Sequence, residues 1–406
     1  MAARAPHLYT SLRGFALGAF VLLGRELEEG AELPVAFEEH LGRRGPALYE
    51  YRPLVRSFVE EREAPLFALS DAALALEELR REPAAAIFAR AHAGQRLGEE
   101  QALFRTVLLA LVIATAEACG GFDWDDRAFE RAYFELEGSL FGEHRAYAAI
   151  APVIGLSLGR SADLAEGLRV RLAEPGELAR HWPEATGLLP PEFGRDIDRL
   201  CVLELQRTLE VGEEPPDAPA ELADAVSALR LATAGPIAAG PVLFERLDGR
   251  PFGIRAVLPI AATQPPGEPV RLDALRAERA ADLLARLGLA DGDAALAEAL
   301  DRWELSVFQL EPFRSEQLRA AMRALLGTTW PLRAAVLLEA PSRARAGLYE
   351  ELVELAEGGG ATADGASAVR RLLVETLRHG DRAALAASLD AELLGLAGPA
   401  GLRATG

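Results

Sequence analysis

Residues 271–287 read RLDALRAERAADLLARL, and five leucines approximate one face of an amphipathic helix: Leu272, Leu275, Leu283, Leu284 and Leu287. Segments with similar apolar spacing follow at 294–308, 313–326, 331–338 and 366–378. Pro331 stands at a favourable first-turn position and Gly380 follows the last segment, as is usual where helices begin and end. Short connections favour antiparallel neighbours, so residues 273–396 are predicted to form a helical bundle.

The composition of the whole chain favours the same class of fold. Of the 406 residues 50% are hydrophobic but only 6% are aromatic, so the apolar mass is mostly Leu, Ala and Val. Leu and Ala are strong helix formers, as are Arg and Glu, which supply most of the charge. A chain of this length exceeds one ordinary hydrophobic core. We therefore predict a mainly α protein of two helical domains.

Proline, glycine and acidic residues divide the chain. We predict an N-terminal helical domain over 1–210, a linker at 211–219, a connector at 220–272 and a flexible tail at 397–406. Within the connector, the Asp248-Gly249 pair predicts a small β-hairpin near 241–258, which nearby prolines restrict to an isolated ribbon. The N-terminal domain is assigned helices near 8–28, 47–62, 70–80, 84–94, 99–119, 125–136, 143–150, 161–172 and 195–210.

The charge balance restricts the class of partner. The formal net charge is −19, which repels phosphate backbones and anionic lipid surfaces. The chain contains no lysine, which excludes a Walker-type phosphate loop and a Schiff-base lysine. The apolar run 107–116 is shorter than the roughly 20 residues of a membrane span and predicts a central buried helix. These features predict a cytoplasmic protein without a nucleic-acid or membrane partner.

Few reactive side chains are grouped in the sequence. None of the six histidines pairs with Cys119 or Cys201 at zinc-ligand spacing, so we predict neither a metal nor a cofactor. Glu375 and His379 are four residues apart and share a helix face near its C-terminus. They are catalytic candidates, although a favourable interaction of His379 with the helix end explains the same spacing.

A basic streak forms a candidate interaction surface in the C-terminal half. It consists of Arg314, Arg319, Arg323 and Arg333 beside the aromatic residues Phe313 and Trp330. Such interleaving is typical of RNA-binding surfaces. Acidic residues lie close by, and they favour a solvated helix face with ion pairs.

Several C-terminal segments together resemble the Apea-like branch of the HEPN superfamily. They are ALRLA at 228–232, RWELSVF at 302–308, LLG at 325–327, LRAAVLL at 332–338, VRRLL at 369–373 and LDAELL at 389–394. The resemblance implies a helical bundle that dimerises and, in many members, cuts RNA through an Arg-x(4–6)-His motif. Where that motif is expected, residues 356–365 contain no histidine, and Arg371 is too far from His379 to substitute. The resemblance therefore implies a degenerate, non-cleaving member.

The leading hypothesis is a non-catalytic helical interaction or scaffold protein, associated with a defence or stress system. It would bind a protein partner and form a homodimer through the C-terminal bundle. The second hypothesis is a HEPN-type RNase with a non-standard site, assembled across a dimer from Arg370, Arg371 and His379, with Glu375 as a further candidate. The third is a small-molecule or peptide sensor with an apolar cleft between the domains.

Overall fold

The computed structural model describes residues 3–40, 48–93, 97–142, 144–173, 177, 201–210, 213–240, 242–256 and 268–396. The first part of the chain is a helical unit with one small hairpin. Its elements are α1 (Pro6–Glu28), β1 (Val35–His40), β2 (Leu48–Pro53), α2 (Val55–Glu60), α3 (Glu63–Phe67), α4 (Ser70–Arg80), α5 (Pro83–Ala93), α6 (Glu99–Leu103), α7 (Ala110–Cys119) and α8 (Asp126–Leu140). A π-helical segment, Phe104–Leu109, joins α6 to α7.

The continuous helix from α6 to α7 lies in the middle of this unit. By length and composition Glu99–Cys119 is the one described helix that could cross a membrane, but 61% of its most apolar window is buried inside the protein. Phe104, Leu108 and Val112 are fully buried. The Phe104 ring packs edge-on against Phe15 of α1, with centroids 6.0 Å apart. The predicted central buried helix is therefore confirmed.

A seven-stranded antiparallel sheet follows the helical unit. Six strands form the order β10-β9-β3-β7-β6-β5, and the two-residue strand β8 pairs with β3. A separate parallel pair joins β4 to β11. The bounds are β3 (His144–Ile154), β4 (Leu156–Leu158), β5 (Ala162–Ala165), β6 (Leu168–Leu172), β7 (Cys201–Glu210), β8 (Ala238–Ala239), β9 (Val242–Leu247), β10 (Arg250–Ala256) and β11 (Val270–Leu272).

The sheet contradicts the prediction of two helical domains and a mainly α fold. Residues 144–154 and 162–172 are strands where helices were expected, residues 201–210 are the strand β7, and β2 occupies 48–53. The predicted helix at 195–200 lies outside the described residues. The reason is tertiary: β3 is rich in alanine, a helix former, but its backbone pairs with β7 on one side and β9 on the other.

The predicted hairpin is present, although it is not isolated. Strands β9 and β10 pair antiparallel and form one edge of the large sheet. The turn residues Asp248 and Gly249 have φ of +51° and +74°. Positive φ at both central residues is the geometry of the tight turns that Asp-Gly pairs favour.

The C-terminal helices form a bundle, as predicted. They are α9 (Ala218–Thr233), which precedes β8, and then α10 (Ala274–Leu287), α11 (Ala294–Phe308), α12 (Phe313–Leu326), α13 (Trp330–Leu338), α14 (Arg343–Ala356), α15 (Ala363–His379) and α16 (Arg382–Leu393). Helix α15 is central and packs against α10, α11, α12, α13, α14 and α16. The predicted tail at 397–406 lies outside the described residues.

The hydrophobic cores divide the chain at a different place from the predicted linker. One core contains residues from Ala5 to Leu140. The other extends from Tyr147 to Leu389 and includes both the inner face of the sheet and the C-terminal bundle. The boundary between these cores thus precedes β3, and residues 213–219 lie between two described parts of one core. It differs from the predicted linker because the described strands between 144 and 210 were expected to be helices of the first domain.

Helix α9 joins the sheet to the bundle. It is buried almost all round, as expected of a helix between two layers. Its Arg230 is only 4% exposed and Glu304 of α11 only 7%. The Arg230 Nη1 donates to Glu304 Oε2 at 2.5 Å, and Arg230 Nε donates to the Ile237 carbonyl at 2.7 Å. This buried pair fixes α9 against α11.

The first prediction concerns Gly167, in the turn between β5 and β6. Its φ is +66°, and an added Cβ would meet the backbone oxygen of Gln206 at 2.2 Å. We expect Gly167→Ala to lower the free energy of unfolding by more than 2 kcal/mol, measured by urea denaturation, because a positive φ costs about 1 kcal/mol and the clash adds to it. Gly249→Ala is the matched control, since its Cβ would meet nothing closer than 3.8 Å. Equal losses in the two variants would contradict the close approach.

The second prediction concerns the Arg230–Glu304 pair. Glu304→Leu leaves a buried guanidinium without its carboxylate and is expected to cost about 3–5 kcal/mol in urea denaturation. The double variant Arg230→Met with Glu304→Leu removes both charges and is expected to be more stable than that single variant. If the losses of Glu304→Leu and of Arg230→Met alone simply add in the double variant, the two groups are not coupled.

Candidate functional site

The outer face of the sheet, which points away from α9, changes character along the strands. At one end it is apolar and buried, with Ile150, Val202, Val242 and Phe244. At the other end it carries small and polar side chains, many of them exposed: Ala146, Ala148, Gln206, Thr208 and Arg246. The two ends belong to the same strands, β3, β7 and β9. Strand register places Ala148 between Gln206 on β7 and Arg246 on β9.

A groove lies over the polar end of this face. Its cavity volume is about 880 Å³. The floor is formed by Ala146 and Ala148 of β3, because these short side chains stand lower than their neighbours. The walls and ends are formed by Glu166, Gly167, Gln206, Arg207, Thr208, Arg246 and Gly249. The groove therefore carries the guanidinium of Arg246, the hydroxyl of Thr208 and the amide of Gln206, whose Nε2 also donates to Glu204 Oε1 at 2.9 Å.

An ionic cluster separates the groove from the apolar end. Arg169 Nε and Arg171 Nε of β6 donate to Glu204 Oε2 of β7 at 2.6 Å and 2.7 Å. Arg171 also binds Glu177, which is 5% exposed. Burial alone would raise the pKa of Glu204, but the hydrogen bonds from Arg171 and Arg169 outweigh it and lower the pKa to about 2. Glu204 is thus a structural carboxylate that stays ionised.

Polar contacts connect the hairpin turn with the helical unit. The amide of Ala146 donates to Asp248 Oδ1 at 3.0 Å. Nε2 of His92, on α5, lies 3.6 Å from Asp248 Oδ2. Arg145 is 5% exposed and stacks over the Phe88 ring at 5.6 Å. Burial lowers the pKa of Arg145, and Asp248 partly opposes this change. These contacts fix the groove's end against α5.

The catalytic candidates predicted from the sequence each form hydrogen bonds with a different neighbour. Arg371 donates to the Leu338 carbonyl at 2.9 Å and to Glu339 at 3.3 Å. Glu375 accepts from Arg378 at 3.1 Å, whereas Nδ1 of the exposed His379 donates to the Asp381 carbonyl at 2.9 Å. The three side chains lie on one helix, α15, but share no hydrogen bond among the contacts of the described residues.

Only some residues of the predicted basic interaction surface are exposed. Arg323 is exposed, and Arg314 is half-buried. Arg319 donates to the carbonyls of Leu355 and Gly359, at the C-terminal end of α14. Trp330 is 2% exposed and lies in the core. Trp330 is therefore not available beside the arginines, because it anchors the start of α13, whereas Phe313 is 61% exposed.

In the described ranges, no group of three or more His, Cys, Asp or Glu side chains could hold a metal ion.

The Cys201 thiol is fully buried, and burial raises its pKa to about 11. A thiol with so high a pKa is a poor nucleophile.

The groove was not predicted from the sequence, because β3 and β7, which line it, were expected to be helices. One signal was present: in CVLELQRTLE, residues 201–210, Leu203, Leu205 and Leu209 alternate with polar residues. That two-residue period is typical of a strand with one buried face. The polar positions of this alternation include Gln206 and Thr208, which line the groove.

No family model, curated protein or solved structure matches this chain.

The third prediction follows from the lowered pKa of Glu204. Its folded pKa of about 2 lies below the ordinary value of 4.5, so the ionised group stabilises the fold fully above about pH 4.5 and loses this effect as pH falls towards 2. Glu204→Gln is expected to cost about 2 kcal/mol at pH 7, and the difference from the parent protein should shrink at pH 3. Urea denaturation at both pH values measures it.

Glu210→Gln is the control for this prediction, because Glu210 lies on the same face of β7 but is exposed. Its effect is expected to stay within about 0.5 kcal/mol at both pH values. A Glu204→Gln loss that is the same at pH 7 and pH 3 would contradict the role of the carboxylate charge.

Proposed function

We propose that this chain is a non-catalytic binding protein of the cytoplasm that holds a polypeptide segment of a protein partner in the groove on its sheet. The observation that carries the proposal is the open cavity of about 880 Å³, floored by alanines and walled by hydrogen-bonding groups. The C-terminal bundle is proposed to be a degenerate HEPN-like domain with a scaffold role, through which two copies associate, and a link to a defence or stress system is part of the same proposal.

The absence of enzymatic action is supported by the engagement of the candidate groups. Arg371 is held by Glu339 and the end of α13, and His379 is directed to its own following loop. General acid–base catalysis needs both groups within reach of one substrate atom. The separate partners of these side chains favour structural roles for both.

A polypeptide is the ligand class that suits the groove. Gln206 and Thr208 both donate and accept hydrogen bonds, and they are exposed next to the small floor residues. A peptide backbone offers donors and acceptors in alternation and so matches such groups. Arg246 at the margin would favour a segment with an acidic side chain, whereas Arg207 is already bound by Glu221 and by the carbonyls of Glu166 and Gln206.

The fourth prediction tests the groove directly. A library of synthetic nine-residue peptides is passed over the purified protein, and the enriched peptides are assayed for a rise in melting temperature. Ala148→Trp fills the floor between Gln206 and Arg246, so we expect the rise to disappear in this variant. Ala73→Trp, at an exposed position of α4, is the matched control and should keep the rise.

Two outcomes would overturn the groove proposal. One is an enriched peptide that raises the melting temperature of Ala148→Trp as much as that of the parent protein. The other is a library with no enriched peptide.

RNA cleavage is measured with the same preparation. Purified protein and labelled single-stranded RNA are expected to give no products. Cleavage that is lost in His379→Ala would overturn the non-catalytic assignment.

A further inference from the structure

A cluster of arginines lies where α10 packs against α15. Arg276 and Arg279 are on α10, and Arg370 and Arg371 are on α15. All four side chains are half-buried. Such a concentration of positive charge stands out in a chain whose formal net charge is −19.

Two of these guanidinium groups have buried nitrogens without an acceptor. Within the described ranges, Nε of Arg279 and Nε of Arg370 are buried and have no hydrogen-bond partner. Arg370 uses only Nη1, which donates to the Leu231 carbonyl at the end of α9 at 2.8 Å. An unsatisfied buried donor is unfavourable, and here two of them occur in one cluster.

The arginines also repel one another. Burial lowers the pKa of Arg370, and the charges of Arg279, Arg371 and Arg276 lower it further. Burial likewise lowers the pKa of Arg279, and the charge of Arg378 adds to this effect.

The acidic groups near the cluster compensate it only in part. Glu375 and Asp282 attract Arg279. They also have other partners, because Glu375 binds Arg378 and Asp282 binds Arg286. Glu339 is engaged by Arg371, and Asp273 lies 3.9 Å from Arg276. Arg370 has no carboxylate among the charges that act on its pKa. The cluster is therefore short of acceptors and of negative charge.

We propose that Arg276, Arg279 and Arg370 bind a phosphate group, either as free phosphate or as the phosphates of a nucleotide, while Arg371 stays bound to Glu339 and to the Leu338 carbonyl. A phosphate supplies several acceptor oxygens and about two negative charges, which suit several guanidinium groups at once. The chain has no lysine, so arginine is the side chain that would supply a permanent positive charge to such a group. This site goes beyond the proposed function and uses none of the residues that line the groove.

The fifth prediction concerns this site and uses the full chain. Melting temperature and isothermal titration calorimetry are recorded with inorganic phosphate, pyrophosphate, adenosine triphosphate and adenosine, at an ionic strength held constant with sodium chloride. We expect saturable binding of at least one phosphate compound and none of adenosine. Binding of inorganic phosphate or pyrophosphate identifies the free anion as sufficient, and binding of the triphosphate alone identifies a nucleotide.

The variants are Arg279→Met and Arg370→Met, with Arg323→Gln on the exposed part of α12 as the control for the loss of one charge. Each Met variant is expected to weaken binding at least tenfold, whereas the control keeps the affinity of the parent protein. Arg279 makes none of the hydrogen bonds found for the described residues, so Arg279→Met should melt at or above the temperature of the parent protein without phosphate. That result separates loss of a ligand contact from loss of folding.

Three results would overturn the proposal. The first is that no phosphate compound binds at constant ionic strength. The second is that adenosine binds as tightly as its triphosphate. The third is that the Met variants keep the affinity of the parent protein, or that Arg323→Gln loses as much as they do.

Discussion

The hydrogen-bonded pairing of β3 with β7 and β9 is the constraint on which the rest of the structure depends. Strand β3 is central in the sheet, and successive side chains point to opposite faces. Tyr147, Ala149 and Val153 enter the core shared with α9 and the bundle. Ala146 and Ala148 form the floor of the groove. A register shift of one residue would exchange these two sets, so the same pairing fixes both the core and the groove.

Small side chains on β3 serve both layers of the structure. On the inner face, Ala149 and Ala151 lie in the core that the sheet shares with α9, and α9 in turn holds α11 through the Arg230–Glu304 pair. On the outer face they leave a depression between Gln206 and Arg246. The chain has few aromatic residues. Its cavity is therefore formed by short side chains on a strand and not by aromatic rings that surround a pocket.

Arginine is the only strong base in the chain, and the structure uses it in two ways. Most of the described arginines are engaged by carboxylates or by carbonyls at helix ends, as Arg319 is at the end of α14. Arg169 and Arg171 hold Glu204 ionised inside the sheet. Arg279 and Arg370 differ, because their buried Nε atoms have no acceptor among the described residues. The engaged arginines have structural roles, whereas Arg279 and Arg370 keep unsatisfied donors for the proposed phosphate ligand.

The sequence by itself determined five of the C-terminal helices, the buried helix at 107–116 and the Asp248-Gly249 turn, because each depends on local periodicity or on backbone preferences of a few residues. Helices α14 and α16 were not among the predicted segments. It did not determine β3, since alanine-rich HRAYAAIAPVI has the composition of a helix and becomes a strand only through partners distant in the chain. The groove and the arginine cluster were decided by tertiary structure for the same reason. Gln206 and Arg246 lie on the two strands that flank β3, and Arg279 and Arg370 lie on two helices that pack together. Spacing along the chain encodes neither arrangement.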